Sequence, residues 1–144
     1  MEFNTAFQFV PIDKRRTVSK PRKSGITMVS DYQLGLVSLS DLIEVAGHYI
    51  DLFKIATGTS RLFEKTHLQN KIEMLRANDI RPFLGGQFQE YVLHTMGVDA
   101  MPRHLSEAQA LGFDIIEISN NMVQLDQGLR QQLFDMTRDQ GMSP

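Results

Sequence analysis

Two carboxylates and one ammonium group stand where strands of a β/α protein are predicted to end. Asp31 follows the first predicted strand, Lys54 lies near the end of the second, and Glu117 lies near the end of the fourth. Mg²⁺ prefers carboxylate oxygens, usually one or two together with oxygens of a substrate. A lysine beside them can bind an anion or act as an acid or base. We therefore predict a Mg²⁺ site at Asp31 and Glu117, with Lys54 and Glu117 as catalytic residues acting on an anionic substrate.

Small residues follow three of the same strands. They are Gly58-Thr59-Ser60 after the second strand, Gly85-Gly86 after the third and Ser119 after the fourth. Glycine lets the backbone approach a phosphate closely, and N–H groups at the start of a helix face an anion bound there. These six residues are predicted to bind the substrate.

Structural roles compete with the chemical ones. Asp31 is also a common turn former, and Gly85-Gly86 could be only a turn. Lys54 could form a structural ion pair, although Asp51 is an odd number of positions away and should face the other side of the strand. Glu117 should point away from the helices, where a carboxylate is costly unless it is paired or functional.

The elements that must position these residues alternate along the chain. Strands are predicted at residues 25–30, 49–55, 80–84 and 113–118, and helices near residues 41–46, 63–78, 88–96, 102–111 and 125–141. Strands separated by helices pair in parallel, and a repeat of about 30–35 residues is typical of a β/α barrel. We predict an α/β fold of the (β/α)8 TIM-barrel class, with this chain covering about the first four β/α units. An open flavodoxin-like sheet is the alternative.

Composition narrows the class of protein. The 144 residues are 42% hydrophobic and 22% charged, with net charge −2 and no cysteine. This composition favours a folded soluble chain and excludes disulfides and cysteine-based metal sites. It predicts no binding to nucleic acid or to a membrane, and no apolar run approaches the ~20 residues that span a bilayer. The N-terminus lacks the charge order of a secretory signal, so a cytoplasmic protein is expected.

Basic residues crowd the region before the first strand. Residues 1–24 are predicted to be a basic leader and residues 25–144 the half barrel. The leader is either an arm that binds phosphate or a solvated segment. Its cations are Lys14, Arg15, Arg16, Lys20, Arg22 and Lys23.

Four segments then carry a resemblance to a known family. In chain order they are GITMVSD, DLIEVAGHYIDLFKIATGTSRL, IRPFLGGQFQEYV and LGFDIIEIS. Together they resemble phosphosulfolactate synthase over most of the chain. The resemblance implies a β/α-barrel lyase that adds sulfite to phosphoenolpyruvate with Mg²⁺ in coenzyme M biosynthesis. A cation at Asp31 and Glu117 would stabilise the enolate-like charge, and Lys54 would bind an anion or donate the proton.

The chain also departs from that family. An Asp-Lys-Gly, a Gly-Gly-Thr and a Glu-Ile-Ser-Asp-Gly of the family are here Asp31-Tyr32-Gln33, Gly85-Gly86-Gln87 and the run from Glu117 to Asn121. The family chain also runs on for about as long again. We expect a truncated product, an open sheet or a homo-oligomer in which a second copy covers both sheet edges. The alternative function is a non-catalytic relative, because plant heat-stress-associated proteins resemble the same family.

Overall fold

Strands and helices alternate in the structure, a computed structural model that describes residues 6–11, 13, 15, 17 and 19–144. The strands are β1 (Met28–Asp31), β2 (Leu52–Ile55), β3 (Arg81–Leu84) and β4 (Ile115–Ile116). The α-helices are α1 (Leu36–Ala46), α2 (Lys65–Arg76), α3 (Gly86–Met96), α4 (Met101–Leu111) and α5 (Gln127–Asp139). Short 3₁₀ turns occupy Gly47–Tyr49, Thr59–Arg61 and Val98–Ala100.

The four strands form one parallel sheet in the order β1-β2-β3-β4. Beyond β4, Ser143 makes a further parallel bridge to Ile115. A flavodoxin-like sheet would place the first strand between the second and third, so that alternative is wrong for this sheet. The predicted α/β fold with a parallel sheet is confirmed, and the sequential order is consistent with a partial barrel-like unit.

One face of the sheet packs against the helices. On β2, Phe53 and Ile55 are 0% exposed and belong to a core cluster with Leu68 of α2, Leu105 of α4 and Leu133 of α5. Lys54 alternates with them and points to the other face, because successive side chains of a strand point to opposite sides. Met28 lies on that second face in β1 and is 52% exposed. The core is therefore one-sided.

Two predicted boundaries were wrong near the first helix. Helix α1 begins at Leu36 after Gly35, earlier than the predicted start with a cap at Ser38 or Ser40. The connection from β1 is short because the side chain of Asp31 accepts backbone hydrogen bonds and turns the chain at once. The second strand is also shorter than predicted, because residues 47–49 form a 3₁₀ turn.

Arg22, from the predicted leader, is buried at the amino ends of the strands. Its guanidinium lies 2.7 Å from a carboxylate oxygen of Asp51, and both side chains are almost fully buried. Asp51 also accepts the backbone N–H of Thr27 at 2.9 Å. The prediction of a solvated segment is therefore wrong for Arg22. This residue binds at the amino ends of the strands, whereas the candidate site lies at their carboxyl ends.

Lys20 also lies at the amino ends of the strands. Its ammonium group donates to the carbonyls of Gly47, at 2.7 Å, and Asn78, at 3.2 Å. Burial lowers the pKa of Lys20 below its ordinary value. Lys14 and Arg16 lie outside the described residues. None of the helices within the described ranges is both long and apolar enough to cross a membrane.

The Arg22–Asp51 pair gives a stability prediction. Asp51→Asn leaves the guanidinium buried without its counter-charge, and removing one partner of a buried pair typically costs about 3–5 kcal/mol. We expect the free energy of unfolding, measured by urea denaturation, to fall by about 3 kcal/mol. Lys65 and Glu107 form an exposed pair at 3.1 Å, so Glu107→Gln should change it by less than about 1 kcal/mol. Equal losses in both variants would contradict this account.

Candidate active site

Lys54 and Glu117 meet at the carboxyl ends of β2 and β4. The Nζ atom of Lys54 lies 2.7 Å from Oε2 and 2.9 Å from Oε1 of Glu117. The backbone N–H of Glu117 donates to the carbonyl of Leu84, which continues the ladder beyond β4 and aims the carboxylate at the face without the helices. Lys54 thus has an ion-pair partner, but this partner is Glu117 and not Asp51.

Glycines at the start of α3 make room for this pair. A Cβ on Gly85 would lie 2.9 Å from the carbonyl oxygen of Ile55 and 3.2 Å from Cε of Lys54, and one on Gly86 would lie 2.5 Å from Oγ of Ser119. The space at both glycines is therefore filled by the protein itself. The N–H of Gly86 donates to Glu117 at 2.6 Å. The anion at this helix start is therefore the protein's own Glu117 carboxylate.

Ser119 hydrogen-bonds a buried carboxylate, that of Glu90 on α3. Glu90 is 0% exposed and accepts the hydroxyl of Ser119 and the backbone N–H groups of Asn121, Met122 and Val123. Burial pushes the pKa of Glu90 up, but these hydrogen bonds outweigh burial and hold the pKa below its ordinary value. Glu90 therefore fixes the loop after β4. Sequence reasoning left it out of the site, although a glutamate one helical turn after Gly85-Gly86, next to the predicted strand end, was a usable signal.

Asp31 points to the opposite face of the sheet from Lys54 and Glu117. In the register, Ser30 pairs with Lys54 while Asp31 pairs with Ile55, so Asp31 faces the helices. Strand order adds to the separation, because β1 and β4 are the two outer strands of the four. The structure therefore does not bring Asp31 and Glu117 together.

Lys71 of α2 is the partner of Asp31. Its Nζ lies 2.5 Å from Oδ2 of Asp31 and donates to the carbonyl of Leu34 at 2.5 Å, and the side chain is 0% exposed. The other carboxylate oxygen accepts the N–H groups of residues 33 and 34, which is the turn-forming role. Lys71 was missed from sequence, although it lies three residues after Leu68 on the buried stripe of α2.

The loop after β2 runs from Lys54 toward the helices. Thr57 has φ of +52°, a conformation that is costly for threonine. The hydroxyls of Thr57 and Thr59 both donate to the carbonyl of Ala56 at 2.8 Å. Thr59 and Ser60 are buried, and a Cβ on Gly58 would lie 3.7 Å from the ring of Phe88. Within the described chain, the hydroxyl of Ser60 has no hydrogen-bond partner.

A Mg²⁺ ion shared by Asp31 and Glu117 does not fit these positions. The two carboxylates lie on opposite faces, and each is already bound to a lysine and to backbone N–H groups. Across the residues that the structure describes, no three His, Asp or Glu side chains form a metal-binding group. The assignment of Mg²⁺ to this pair stays a prediction that the geometry does not favour.

The fold and the site together define a class. Parallel β/α folds bind their ligands beyond the carboxyl ends of the strands, where Lys54 and Glu117 lie. The chain belongs to the phosphosulfolactate synthase family, because the sequence-family model described as (2R)-phospho-3-sulfolactate synthase matches residues 15–144. The resemblance seen in the sequence is thereby confirmed.

Individual relatives support this membership. The chain is 37% identical over 122 residues to phosphosulfolactate synthase of Methanothermobacter thermautotrophicus, covering 85% of this chain and 46% of the relative. It is 29% identical over 136 residues to that of Methanocaldococcus jannaschii, covering 94% and 50%. It is 28% identical over 109 residues to Protein HEAT-STRESS-ASSOCIATED 32 of Arabidopsis thaliana, covering 74% and 37%. The chain thus spans about half the length of the two synthases.

Glu90→Gln tests the anchor of the loop after β4. An amide keeps the shape of the side chain but turns one acceptor into a donor facing backbone N–H groups, and an unsatisfied buried group costs about 1–3 kcal/mol. We expect a loss of this size in urea denaturation at pH 7, and faster amide hydrogen exchange at residues 119–123.

The pH dependence gives a second readout on the same variant. Because the folded pKa of Glu90 is lowered, its contribution is present above the ordinary value of 4.5 and is lost as the pH falls below it. The stability gap between wild type and Glu90→Gln should therefore narrow below pH 4.5. Glu44→Gln, at an exposed position of α1, is the control and should change neither stability nor exchange at residues 119–123.

Asp31→Asn tests the structural role of this aspartate. The variant retains a turn-forming oxygen but leaves the ammonium of Lys71 buried without a counter-charge, so we expect the free energy of unfolding to fall by about 3 kcal/mol. Adding Lys71→Met removes the unpaired charge and should recover part of the loss in the same urea assay. Unchanged stability of Asp31→Asn, or no recovery in the double variant, would contradict a buried ion pair.

Proposed function

We propose that this chain carries the first half of a phosphosulfolactate synthase site, which adds sulfite to phosphoenolpyruvate. Family membership supports the reaction class, and the Lys54–Glu117 pair at the carboxyl ends of the strands is the observation that carries the proposal. Because the chain spans about half the length of the synthases it matches, the activity of a whole synthase is a proposal for it.

The reaction needs one new bond and one proton. The sulfur lone pair of sulfite forms a bond to the methylene carbon, and the electrons of the double bond move to the neighbouring carbon and its carboxylate. A proton then arrives at that neighbouring carbon, and the phosphate ester stays in place, so no group leaves. In this proposal the Lys54 ammonium stabilises the developing charge and delivers the proton. Glu117 holds the ammonium in position and is itself fixed by the N–H of Gly86.

Charge balance identifies what else the reaction requires. Lys54 and Glu117 together carry no net charge, whereas both substrates are anions. Further cations must therefore approach this face of the sheet. Mg²⁺ therefore stays in the proposal as a cofactor and is included in the assay, but its site is not the one predicted between Asp31 and Glu117. Small anionic substrates and a homo-oligomer likewise stay predictions.

A non-catalytic role is the second candidate. The predicted anion contacts at Gly85 and Gly86 are filled by protein atoms, and the hydroxyls of Thr59 and Ser119 already have hydrogen-bond partners. Few groups are then left for a substrate. The similarity to a plant protein named for heat stress supports a stress-related role as the alternative.

Proton NMR of the purified chain with phosphoenolpyruvate, sulfite and Mg²⁺ tests the first candidate. We expect the vinyl protons of phosphoenolpyruvate to disappear only when sulfite is present. Lys54→Met should slow this loss by about 10²–10⁴-fold, the usual contribution of a positioned acid. Glu117→Gln should slow it as well, because the ammonium loses its anchor.

Lys65→Met is the matched control, since Lys65 is an exposed lysine paired with a glutamate outside the site. It should leave the rate unchanged. Dispersed methyl signals with untouched vinyl protons, at every Mg²⁺ concentration, would favour the non-catalytic candidate. Full activity of Lys54→Met would overturn the role given to the lysine while leaving the reaction class in place.

A further inference from the structure

A separate cavity lies on the helical side of the sheet, between α2, α3 and α4. Its volume is about 400 Å³, within the range of about 300–1,000 Å³ that is usual for small-molecule pockets. Much of its wall is apolar, and the side chains that form it include Phe63, Leu68, Phe88, Val92, Met96 and Leu111. Because Leu84 of β3 also lines it from the helical face, the sheet separates this cavity from the Lys54–Glu117 pair.

Two buried polar atoms among the lining residues lack a partner. In the described part of the chain, neither Oγ of Ser60 nor Nε2 of His104 makes a hydrogen bond. The ring of Phe88 contacts the ring of His104 edge to face, with 5.1 Å between centroids. Burial lowers the pKa of His104 to about 4, so the ring is neutral at pH 7. Unsatisfied buried polar atoms are rare in folded proteins and call for a bonding partner.

Positive charge dominates the lining. Arg61, Lys65 and Arg103 are exposed and line the cavity, and Glu107 is the single carboxylate among its lining residues. Lys65 and Glu107 neutralise each other at 3.1 Å. Among the described residues, Arg61 and Arg103 form no ion pair. An apolar interior with two unpaired guanidinium groups complements a molecule that has an apolar body and an anionic head.

We propose that this cavity binds a small carboxylic acid with an aliphatic body. The body packs among the phenylalanines and Met96, and the carboxylate lies at Arg61 and Arg103. Ser60 and His104, the chain neighbours of these two arginines, donate their unused hydroxyl and Nε2 hydrogens to the same carboxylate. This site is independent of the proposed addition of sulfite, because it uses the other face of the sheet.

Octanoate is the probe. We expect saturable binding of one octanoate per chain in calorimetry at pH 7, with ¹H–¹⁵N shift changes centred on residues 60, 88 and 104. Octan-1-ol and octylamine share the body but lack the negative charge, and each should bind at least tenfold more weakly. Arg103→Glu, at an exposed position, should weaken octanoate binding at least tenfold.

Arg130→Glu, at another exposed arginine, on α5 and outside the cavity lining, is the matched control and should leave octanoate binding unchanged. Ala108→Leu narrows the cavity at a buried lining position and should abolish binding, with the dispersion of the amide spectrum reporting whether the variant folds. Absence of octanoate binding, equal affinity for octan-1-ol, or equal effects of the two arginine variants would overturn the proposal. None of these results depends on turnover of phosphoenolpyruvate.

Discussion

The alternation of side chains along parallel strands is the constraint on which the rest of this structure depends. Only one face of the sheet is packed by helices, so each strand residue is either in the core or on the second face. Phe53 and Ile55 take the core positions of β2, and Lys54 between them takes the other. Glu117 is in phase with Lys54, whereas Asp31 is in phase with Ile55. That difference of one register position makes Glu117 a candidate for catalysis and Asp31 a structural residue.

Ionic contacts secure both ends of the sheet. At the amino ends Arg22 meets Asp51, and at the carboxyl ends Lys71 meets Asp31 on the helical face. Glu90 accepts the hydrogen bonds of the loop after β4, with no ion-pair partner among the described residues. These groups are buried, and a buried charge is tolerated only when it is paired or hydrogen-bonded. The Lys54–Glu117 pair differs because it is partly exposed, which leaves it accessible to a substrate.

The two faces of the sheet therefore support different proposals. The second face has Lys54, Glu117 and the start of α3. The addition of sulfite to phosphoenolpyruvate is proposed for this face. The helical face has an apolar cavity in which polar atoms of Ser60 and His104 lack a hydrogen-bond partner among the described residues, and the binding of a small carboxylic acid is proposed there. Ser60, which the sequence predicted to bind the substrate, lines the cavity on the helical face. The loop after β2 crosses from one face to the other between Lys54 and Ser60.

The sequence by itself determined the order of strands and helices, the parallel sheet, the family, and the position of Glu117 on the face without helices. These follow from periodicities of two and 3.6 residues and from local motifs, which are properties of neighbouring residues. Only the tertiary structure decided that Asp31 pairs with Lys71, that Glu90 binds Ser119, and that Lys54 pairs with Glu117. Each of these contacts joins residues about 30 to 60 positions apart, and the side chain that lies opposite is set by the order and register of the strands and by how helices pack on the sheet, which no local pattern encodes.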